Sequence, residues 1–176
     1  MKAFISTIPF GQQSTEPIAL LEKAGISYSI NPLGRKIKSE ELPAYLEGCD
    51  YLIAGTEKIT AEALDAAPSL KMIARVGVGV DNVPFEEAAR RGIAVSYTPE
   101  APKDAVAELV VGLLINASRG FAEVSNKLHA GVWDKKMGRL LSTQTLGIVG
   151  LGRIGKRIAE LCAPLGIRII ASDPLP

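Results

Sequence analysis

The chain has 176 residues, of which 47% are hydrophobic and 22% charged, the composition of an ordinary globular protein. Its 20 basic and 19 acidic residues leave a formal net charge of +1, which gives no reason to expect binding to nucleic acid. The longest apolar run, 109–115, is too short to span a bilayer, and the N-terminus does not resemble a signal peptide. We therefore expect a cytoplasmic protein that binds neither nucleic acid nor membrane.

Short β-rich runs alternate with helical patterns through the first half of the chain. We predict strands over 2–7, 27–31, 51–54, 72–75 and 94–97, and helices near 14–24, 39–47, 60–66 and 84–91. Each helix is followed by a stop signal, in turn Gly25, Gly48, Pro68 and Gly92. Strands that alternate with helices through short connections indicate a parallel sheet covered on both faces. The predicted class is α/β, with a flavodoxin-like parallel-sheet domain over residues 1–98.

The segment 98–104 contains two prolines and is interpreted as a linker to a second region, 99–176. A long helix is predicted over 104–120. One of its faces carries Val106, Leu109, Val110, Leu113, Leu114 and Ala117. Because further apolar residues lie on another side, this helix is either deeply buried or shared with a second subunit. We expect a homodimer through it. Beyond it, 122–144 is expected to hold a short helix, a turn at Gly131 and an irregular approach to the next strand.

A glycine-rich loop at 150–155 follows a predicted strand, TLGIV, and leads into a helical pattern that opens at the third glycine. Gly150 would allow the tight turn, Gly152 the approach of the backbone to a pyrophosphate, and Gly155 the packing of helix on strand. The free N–H groups at the helix start, at Arg153 and Ile154, would hold the phosphates. The alternative is a glycine-rich turn with no ligand.

Asp173 ends the following predicted strand, IRIIASD, 18 positions after Gly155. A carboxylate about 20 residues after the glycine loop accepts hydrogen bonds from the adenosine ribose of a dinucleotide. Such a carboxylate also repels a 2′-phosphate, which favours NAD over NADP. The segment therefore predicts the first β-α-β of a Rossmann NAD-binding domain, with Gly150, Gly152, Arg153, Ile154, Gly155 and Asp173 as the cofactor-binding residues.

Three blocks of the sequence resemble the D-isomer-specific 2-hydroxyacid dehydrogenase family, nearest its phosphoglycerate dehydrogenase branch. The first, 59–83, resembles the end of the family's substrate domain. The second, 105–119, is similar to the helix that links its two domains and forms its dimer, and the third, 133–159, to its Trp-to-glycine-loop segment. The resemblance implies an NAD-dependent oxidoreductase that acts on a small 2-hydroxy acid.

The resemblance also implies a substrate-binding loop after the fourth strand, RVGVGVD, formed by Arg75, Val76, Gly77 and Val78. Open α/β sheets bind ligands beyond the carboxyl ends of their strands, so this position suits the carboxylate of a 2-oxo acid. Glycine N–H groups and the planar Arg75 cation would hold the anion. The phosphoglycerate branch usually has an arginine where this chain has Ala54, which weakens the case for 3-phosphoglycerate.

In the resembling family a catalytic Arg, Glu and His belong to the second half of the nucleotide domain, and no residue of this chain matches them. The only histidine, His129, precedes the glycine loop and is interpreted as a solvated surface residue. A dinucleotide domain has about six strands, of which two are predicted here. We therefore expect a truncated chain that is inactive alone and binds NAD weakly or not at all. A short protein that completes its sheet with another chain is the alternative.

A second class of function stays open on the sequence alone. A non-catalytic sensor or interaction module with the same fold would keep the glycine loop and dispense with the catalytic residues. Metal chemistry is not expected, because Cys49 and Cys162 are isolated and no histidine cluster accompanies them. Both cysteines are interpreted as reduced, buried thiols.

Overall fold

The structure, a computed structural model, describes residues 1–175. The chain divides into two compact units, Met1–Pro99 (unit 1) and Glu100–Pro176 (unit 2). Each unit has its own parallel sheet, with five strands in unit 1 and two in unit 2.

The unit 1 sheet has the strand order of a flavodoxin-like fold. Its strands are Lys2–Ile5 (β1), Ser27–Ile30 (β2), Tyr51–Ala54 (β3), Met72–Arg75 (β4) and Ala94–Tyr97 (β5). They pair in parallel in the order β2-β1-β3-β4-β5, which confirms the predicted fold class. The intervening helices are Glu16–Lys23 (α1), Leu42–Leu46 (α2), Ala61–Asp65 (α3) and Phe85–Arg90 (α4). β1 ends at Ile5 rather than at residue 7, so Ser6 and Thr7 lie in the loop beyond it.

The core of unit 1 forms where strand residues meet the helices that cover the sheet. In β3 and β4, fully buried residues alternate with partly buried ones, because successive side chains of a strand point to opposite faces. Leu52 and Ile73 are fully buried there, and Phe4 stacks on Tyr45 with ring centroids 5.2 Å apart. The thiol of Cys49 is buried in the same core, as predicted.

Unit 2 contains three helices and one strand pair. The helices are Lys103–Arg119 (α5), Phe121–His129 (α6) and Arg153–Cys162 (α7), and the strands are Thr145–Val149 (β6) and Arg168–Ser172 (β7). Short 3-10 turns lie at Leu141–Thr143 and Ala163–Leu165. α5 packs against α7, where an ion pair joins Asp104 to Arg157 at 2.6 Å. As predicted, Cys162 is buried at the end of α7 and Gly131 forms a turn after α6.

Much of the apolar surface of unit 2 is exposed. Its buried hydrophobic residues, within the part of the chain that the structure describes, are Ala107, Ile148, Cys162 and Ile167. By contrast, the β6 residue Val149 is 96% exposed and the β7 residue Ile170 is 52% exposed. On α5, Leu109 and Leu113 are 62% and 55% exposed. Among the described residues of unit 2, apolar side chains on one face of the strand pair and on one face of α5 therefore remain half or more exposed.

No single helix in residues 1–175 is both long and apolar enough to cross a membrane. α5 and α6 satisfy the length and composition test only when taken together, and the chain bends by 66° between them.

Candidate functional site

The loop after β4, residues 75–79, has two of its N–H groups already bonded to protein. The N–H of Val76 donates to the carbonyl of Ala54 at 2.8 Å, and that of Gly77 donates to the Thr98 hydroxyl at 2.8 Å. The N–H groups of Val78 and Gly79 have no acceptor among the described residues. Gly77 has φ +141°, and a Cβ there would overlap the guanidinium of Arg75, so this turn requires glycine. The N–H groups that an incoming anion can still use are those of Val78 and Gly79.

The side chain of Arg75 lies folded against this same loop. It is 9% exposed, and its Nη1 donates to the carbonyl of Val76. Its Nε–H has no partner and is the only such buried side-chain polar group within residues 1–175. Leaving a buried donor unsatisfied costs about 1–3 kcal/mol, so an anion that accepts from this N–H would be favoured. Arg75 thus fits an anion-binding role by its chemistry.

The loop after β3 contains a buried carboxylate that sequence reasoning missed. Glu57 is 2% exposed and accepts hydrogen bonds from the Ser6 hydroxyl and from the N–H of Gly55, the latter at 3.1 Å. Ala54, at the end of β3, is fully buried and brings no charge to this edge. The only sequence signal for Glu57 was its place just beyond the carboxyl end of a central strand, where open α/β sheets bind ligands.

In unit 2 the glycine loop joins β6 to α7 in the geometry that the three glycines predict. Gly150 has φ +94°, and its N–H donates to the carbonyl of Ser172 at 2.8 Å. A Cβ at Gly155 would overlap the carbonyl oxygen of Gly150, so helix and turn touch backbone to backbone. At Gly152 a Cβ would meet no atom within 4 Å, which leaves open space beside the backbone. One detail was wrong: α7 begins at Arg153, and Gly155 lies inside its first turn.

The start of α7 offers unpaired N–H groups to an anion. Gly152 is the N-cap residue, and the N–H groups of Arg153 and Ile154 find no acceptor in the described part of the chain. Helix N-termini bind phosphate groups through such N–H groups and the helix dipole. The side chain of Arg153 does not point to this space, because it pairs with the carboxylate of Glu100. Any anion at this site would therefore be held by the backbone.

Asp173 follows β7 directly and lies beside the glycine loop. One of its carboxylate oxygens accepts from the N–H of Leu151, and the other accepts from the N–H of Leu175 at 2.8 Å. These two backbone hydrogen bonds, that of Leu175 first, hold the pKa of the Asp173 carboxyl below its ordinary value. A charged acceptor thus lies at the end of the second strand, beside the glycine loop.

The single histidine of the sequence lies in α6, outside both loops along the chain. His129 is exposed on α6, and its Nδ1 lies 2.8 Å from the carbonyl of Ser125 in the same helix. No group of three His, Cys, Asp or Glu residues with metal-binding geometry occurs within residues 1–175. The unpaired N–H groups at each loop are donors suited to an anion.

Comparison with known proteins supports the same family. Residues 7–163 match the family described as D-isomer specific 2-hydroxyacid dehydrogenase, catalytic domain. The chain is similar to the D-3-phosphoglycerate dehydrogenase of Rattus norvegicus, with 37% identity over an aligned length of 174; the match covers 89% of this chain and 33% of the rat protein. It is also similar to the hydroxypyruvate reductase of Thermotoga maritima, with 38% identity over 141 residues that cover 78% of this chain and 46% of that protein.

A solved structure shares the architecture. The NAD+-bound 3-phosphoglycerate dehydrogenase of Entamoeba histolytica superposes with a TM-score of 0.78 and 31% identity, covering 100% of this chain and 55% of the other. The chain spans only 33% of the length of the rat relative that it matches. The profile match over most of the chain, the strand order of unit 1 and the glycine loop agree with one another. The chain belongs to the D-isomer specific 2-hydroxyacid dehydrogenase family.

Proposed function

We propose that the protein is an NAD-dependent oxidoreductase that acts on the CH–OH group of a small D-2-hydroxy acid. The observation that carries the proposal is the β6–α7–β7 segment. Its glycine turn has open space beside Gly152 and leads into the unpaired N–H groups of α7, and the Asp173 carboxylate accepts from the N–H of Leu151 in that turn. NAD, when bound, supplies the acceptor for the hydride. The bound NAD+ of the Entamoeba relative supports the choice of cofactor.

Most of the contacts proposed for NAD come from backbone groups, and one comes from a side chain. The backbone of Gly150, Gly152 and Gly155 shapes the turn, and the N–H groups of Arg153 and Ile154 would bind the diphosphate. Asp173 would exchange its bond to the Leu151 N–H for the ribose hydroxyls. Its negative charge opposes a 2′-phosphate, which is why NAD is proposed rather than NADP.

The substrate would bind at the loop of Arg75, Val76, Gly77 and Val78. The unpartnered Nε–H of Arg75 and the free N–H groups of Val78 and Gly79 together suit a planar carboxylate. Ala54 leaves the neighbouring strand end without a cation, so a second, phosphate-sized anion has less to bind it there. We therefore propose a 2-hydroxy acid without a phosphate, as the name of the hydroxypyruvate reductase relative also suggests.

Turnover by these 176 residues alone is not expected. The single histidine is exposed on α6 and bonded within its own helix. We propose that the proton-transfer residues of the protein are not among the residues of this chain. NAD should also bind this chain weakly, because the diphosphate and ribose contacts are the only ones that it offers.

We further propose a cytoplasmic homodimer formed through α5. The exposed Leu109 and Leu113 lie four residues apart on one face of this helix, as expected for a surface that a second subunit covers. Two buried free thiols and no disulfide among the described residues suit a reducing compartment.

The proposed activity is tested with the protein at its full natural length. A series of 2-oxo acids, hydroxypyruvate and glyoxylate among them, is supplied with NADH or NADPH while oxidation of the reduced cofactor is followed. We expect turnover with NADH and little with NADPH. Absence of turnover with every 2-oxo acid, or a preference for NADPH, would contradict the proposal. For the 176-residue chain alone, calorimetry should detect NAD binding only above micromolar concentrations.

A pair of glycine substitutions localises the cofactor. Gly152→Ala fills the open space beside the loop, whereas Gly147→Ala adds the same methyl group within β6, where it would also meet no atom within 4 Å. We expect Gly152→Ala to raise the KM for NADH about tenfold, equivalent to about 1.4 kcal/mol of binding, and Gly147→Ala to leave it unchanged. Equal KM values for NADH in the two variants would mean that the cofactor does not bind beside Gly152.

A further inference from the structure

A set of mostly buried hydrogen bonds joins four loops at the carboxyl edge of the unit 1 sheet. We call this set the carboxyl-edge network, and its members are Asn31, Ser6, Gly55, Glu57 and Asn82. Asn31 follows β2, Ser6 follows β1, Gly55 and Glu57 follow β3, and Asn82 follows β4. These strands are neighbours in the sheet in that order. Asn31, Ser6 and Glu57 are 8%, 2% and 2% exposed. The network thus runs along the edge where the proposed substrate loop begins.

Glu57 is the centre of the network and its only ionisable member. One carboxylate oxygen accepts from both the Ser6 hydroxyl and the N–H of Gly55, and that N–H also lies 3.2 Å from Ser6 Oγ. On the far side, the amide of Asn31 donates to the Ser6 carbonyl at 3.0 Å. The carboxylate therefore ties the end of β3 to the end of β1, and through Ser6 to the end of β2.

Asn82, three residues after Gly79, connects the network to the far end of the substrate loop. Its side-chain amide donates to the carbonyls of Gly55, at 3.2 Å, and Glu57, at 2.7 Å, and its own carbonyl accepts from the N–H of Ile59 at 3.0 Å. At the other end of the loop, Val76 donates to Ala54 at 2.8 Å. Both ends of segment 76–82 are thus fixed to segment 54–59, which the Glu57 carboxylate holds in place.

We propose that Glu57 is a positioning residue for the 2-oxo acid site, an inference that rests on the proposed function. Its carboxylate makes no hydrogen bond to the substrate loop within residues 1–175. It fixes the backbone to which both ends of that loop are bonded, and so sets the direction of the free N–H groups of Val78 and Gly79. Binding groups must be held within about 0.5 Å of their productive geometry by the residues behind them. Loss of the Glu57 acceptor therefore weakens anion binding while the fold persists.

The fold is expected to survive because the partners of Glu57 have alternatives. Without the carboxylate, the Ser6 hydroxyl can still donate to the carbonyl of Ile53, 3.1 Å away, and the Gly55 N–H can still donate to Ser6. Glu57→Leu thus removes the acceptor at similar volume. Glu57→Gln keeps an acceptor oxygen in the same place without the charge. The pair separates the hydrogen-bonding role of Glu57 from its mere occupation of space.

A second carboxylate of unit 1 supplies the matched control. Asp50 lies at the opposite, amino-terminal edge of the sheet, where its oxygens accept from the N–H of Lys2 and from Lys71 Nζ, both at 2.8 Å. Asp50→Leu removes a comparable tie between strands, far from the substrate loop. A loss of affinity caused by general destabilisation would appear in this variant too.

The experiment is a titration of the 176-residue chain with hydroxypyruvate, followed by the amide NMR signals of Val78 and Gly79. We expect Glu57→Leu, which removes both hydrogen bonds that the carboxylate accepts, to raise the Kd about tenfold, equivalent to about 1.4 kcal/mol of binding. Glu57→Gln should stay within about threefold of the original chain. Asp50→Leu should leave the Kd unchanged, and NAD affinity should be unchanged in all three. If Glu57→Leu does not fold, Ser6→Ala replaces it, with an expected increase of about threefold.

The outcomes separate this inference from the proposed function. If the unaltered chain shows no shifts at Val78 and Gly79, the substrate site itself is wrong and the inference falls with it. If that chain binds hydroxypyruvate and Glu57→Leu binds it equally well, the inference alone is wrong. It is equally wrong if Asp50→Leu weakens binding as much as Glu57→Leu, or if Glu57→Gln fails to restore it. In the full-length protein the same change should raise the KM for the 2-oxo acid and leave kcat unaltered.

Discussion

The two units of this chain hold their binding loops in different ways. In unit 1 the loops rise from a five-stranded sheet whose central residues, such as Leu52 and Ile73, are fully buried. In unit 2 the glycine loop rises from a strand pair whose residue Val149 is 96% exposed. Buried apolar area stabilises by about 25 cal/mol per Å². Unit 1 therefore rests on its own core, whereas the shape of the unit 2 loop depends mainly on backbone contacts such as that between Gly155 and Gly150.

The largest expected effect comes from removing the same kind of side chain from each sheet. Leu52→Ala leaves a cavity in unit 1 and should lower the free energy of unfolding by about 2–5 kcal/mol. Val149→Ala removes an exposed side chain in unit 2 and should change it by less than about 0.5 kcal/mol. Amide hydrogen exchange of the strands in each unit, measured on both variants, gives the two values separately.

The contrast between the two units would be wrong if Val149→Ala lowered the free energy of unfolding as much as a core substitution does. A cost of several kcal/mol for Val149→Ala would mean that the open face of the strand pair is covered in solution. Equal slow exchange of β6 and β4 amides in the unaltered chain would lead to the same conclusion.

The next effect concerns the apolar face of α5. Leu113→Glu places a charge on a residue that is 55% exposed and that we propose to lie in a dimer interface. Leu20→Glu, on α1 of unit 1, changes a residue of similar exposure, 60%, for which no partner is proposed. Light scattering should show a dimer for the unaltered chain and for Leu20→Glu, and a monomer for Leu113→Glu.

A monomer for the unaltered chain at high concentration would refute the dimer. So would a dimer that persists in Leu113→Glu, since a buried, unpaired carboxylate costs several kcal/mol. Either result would make the exposed face of α5 a feature without an assigned role.

The smallest effect is the acid sensitivity of one carboxylate in unit 1. Arg35 and the N–H of Lys38 hydrogen-bond the Glu41 carboxylate and lower its pKa from 4.5 to about 2. Because this carboxyl is more acidic in the folded chain, its stabilisation is complete above pH 4.5 and lost as the pH falls towards 2. Since the pair is exposed, Glu41→Gln should lower Tm at neutral pH by only a few degrees. The difference from the unaltered chain should vanish near pH 2.

The control for this measurement is Glu40→Gln, which removes a neighbouring exposed carboxylate. Its Tm should follow that of the unaltered chain across the whole pH range. If the Tm of Glu41→Gln stays below that of the unaltered chain at low pH, the lower Tm reflects the shape of the glutamine and not the missing charge.

The fold class and the turn of the glycine loop were predictable because they depend on local signals. Alternating β-rich and helical runs with stop residues lead to the flavodoxin-like order, and the spacing of Gly150, Gly152 and Gly155 leads to the turn. The start of α7 was misplaced by two residues, since Gly152 caps the helix and the first turn includes Gly155. Helix starts depend on which residue supplies the cap, which the glycine pattern does not state.

The connections between loops were not predictable, because they arise only where distant segments meet. Glu57 is charged and lies in a polar stretch, GTEKIT, so nothing local marks it as buried. Its burial follows from Ser6, 51 positions earlier, and from Asn82, 25 positions later. The hydrogen bond from the Gly77 N–H to the Thr98 hydroxyl also joins segments that are distant in sequence. It leaves one N–H fewer in the loop for a ligand.

The two cysteines have a practical consequence for separating the units. Each unit contains one thiol, Cys49 in unit 1 and Cys162 in unit 2, and both are fully buried. Burial also raises the pKa of each thiol, so neither is reactive while its surroundings stay closed. The rate at which a maleimide labels each cysteine therefore reports how often its own half of the molecule opens. Mass spectrometry can therefore measure the opening of both units in a single sample, from the labelling rates of Cys49 and Cys162.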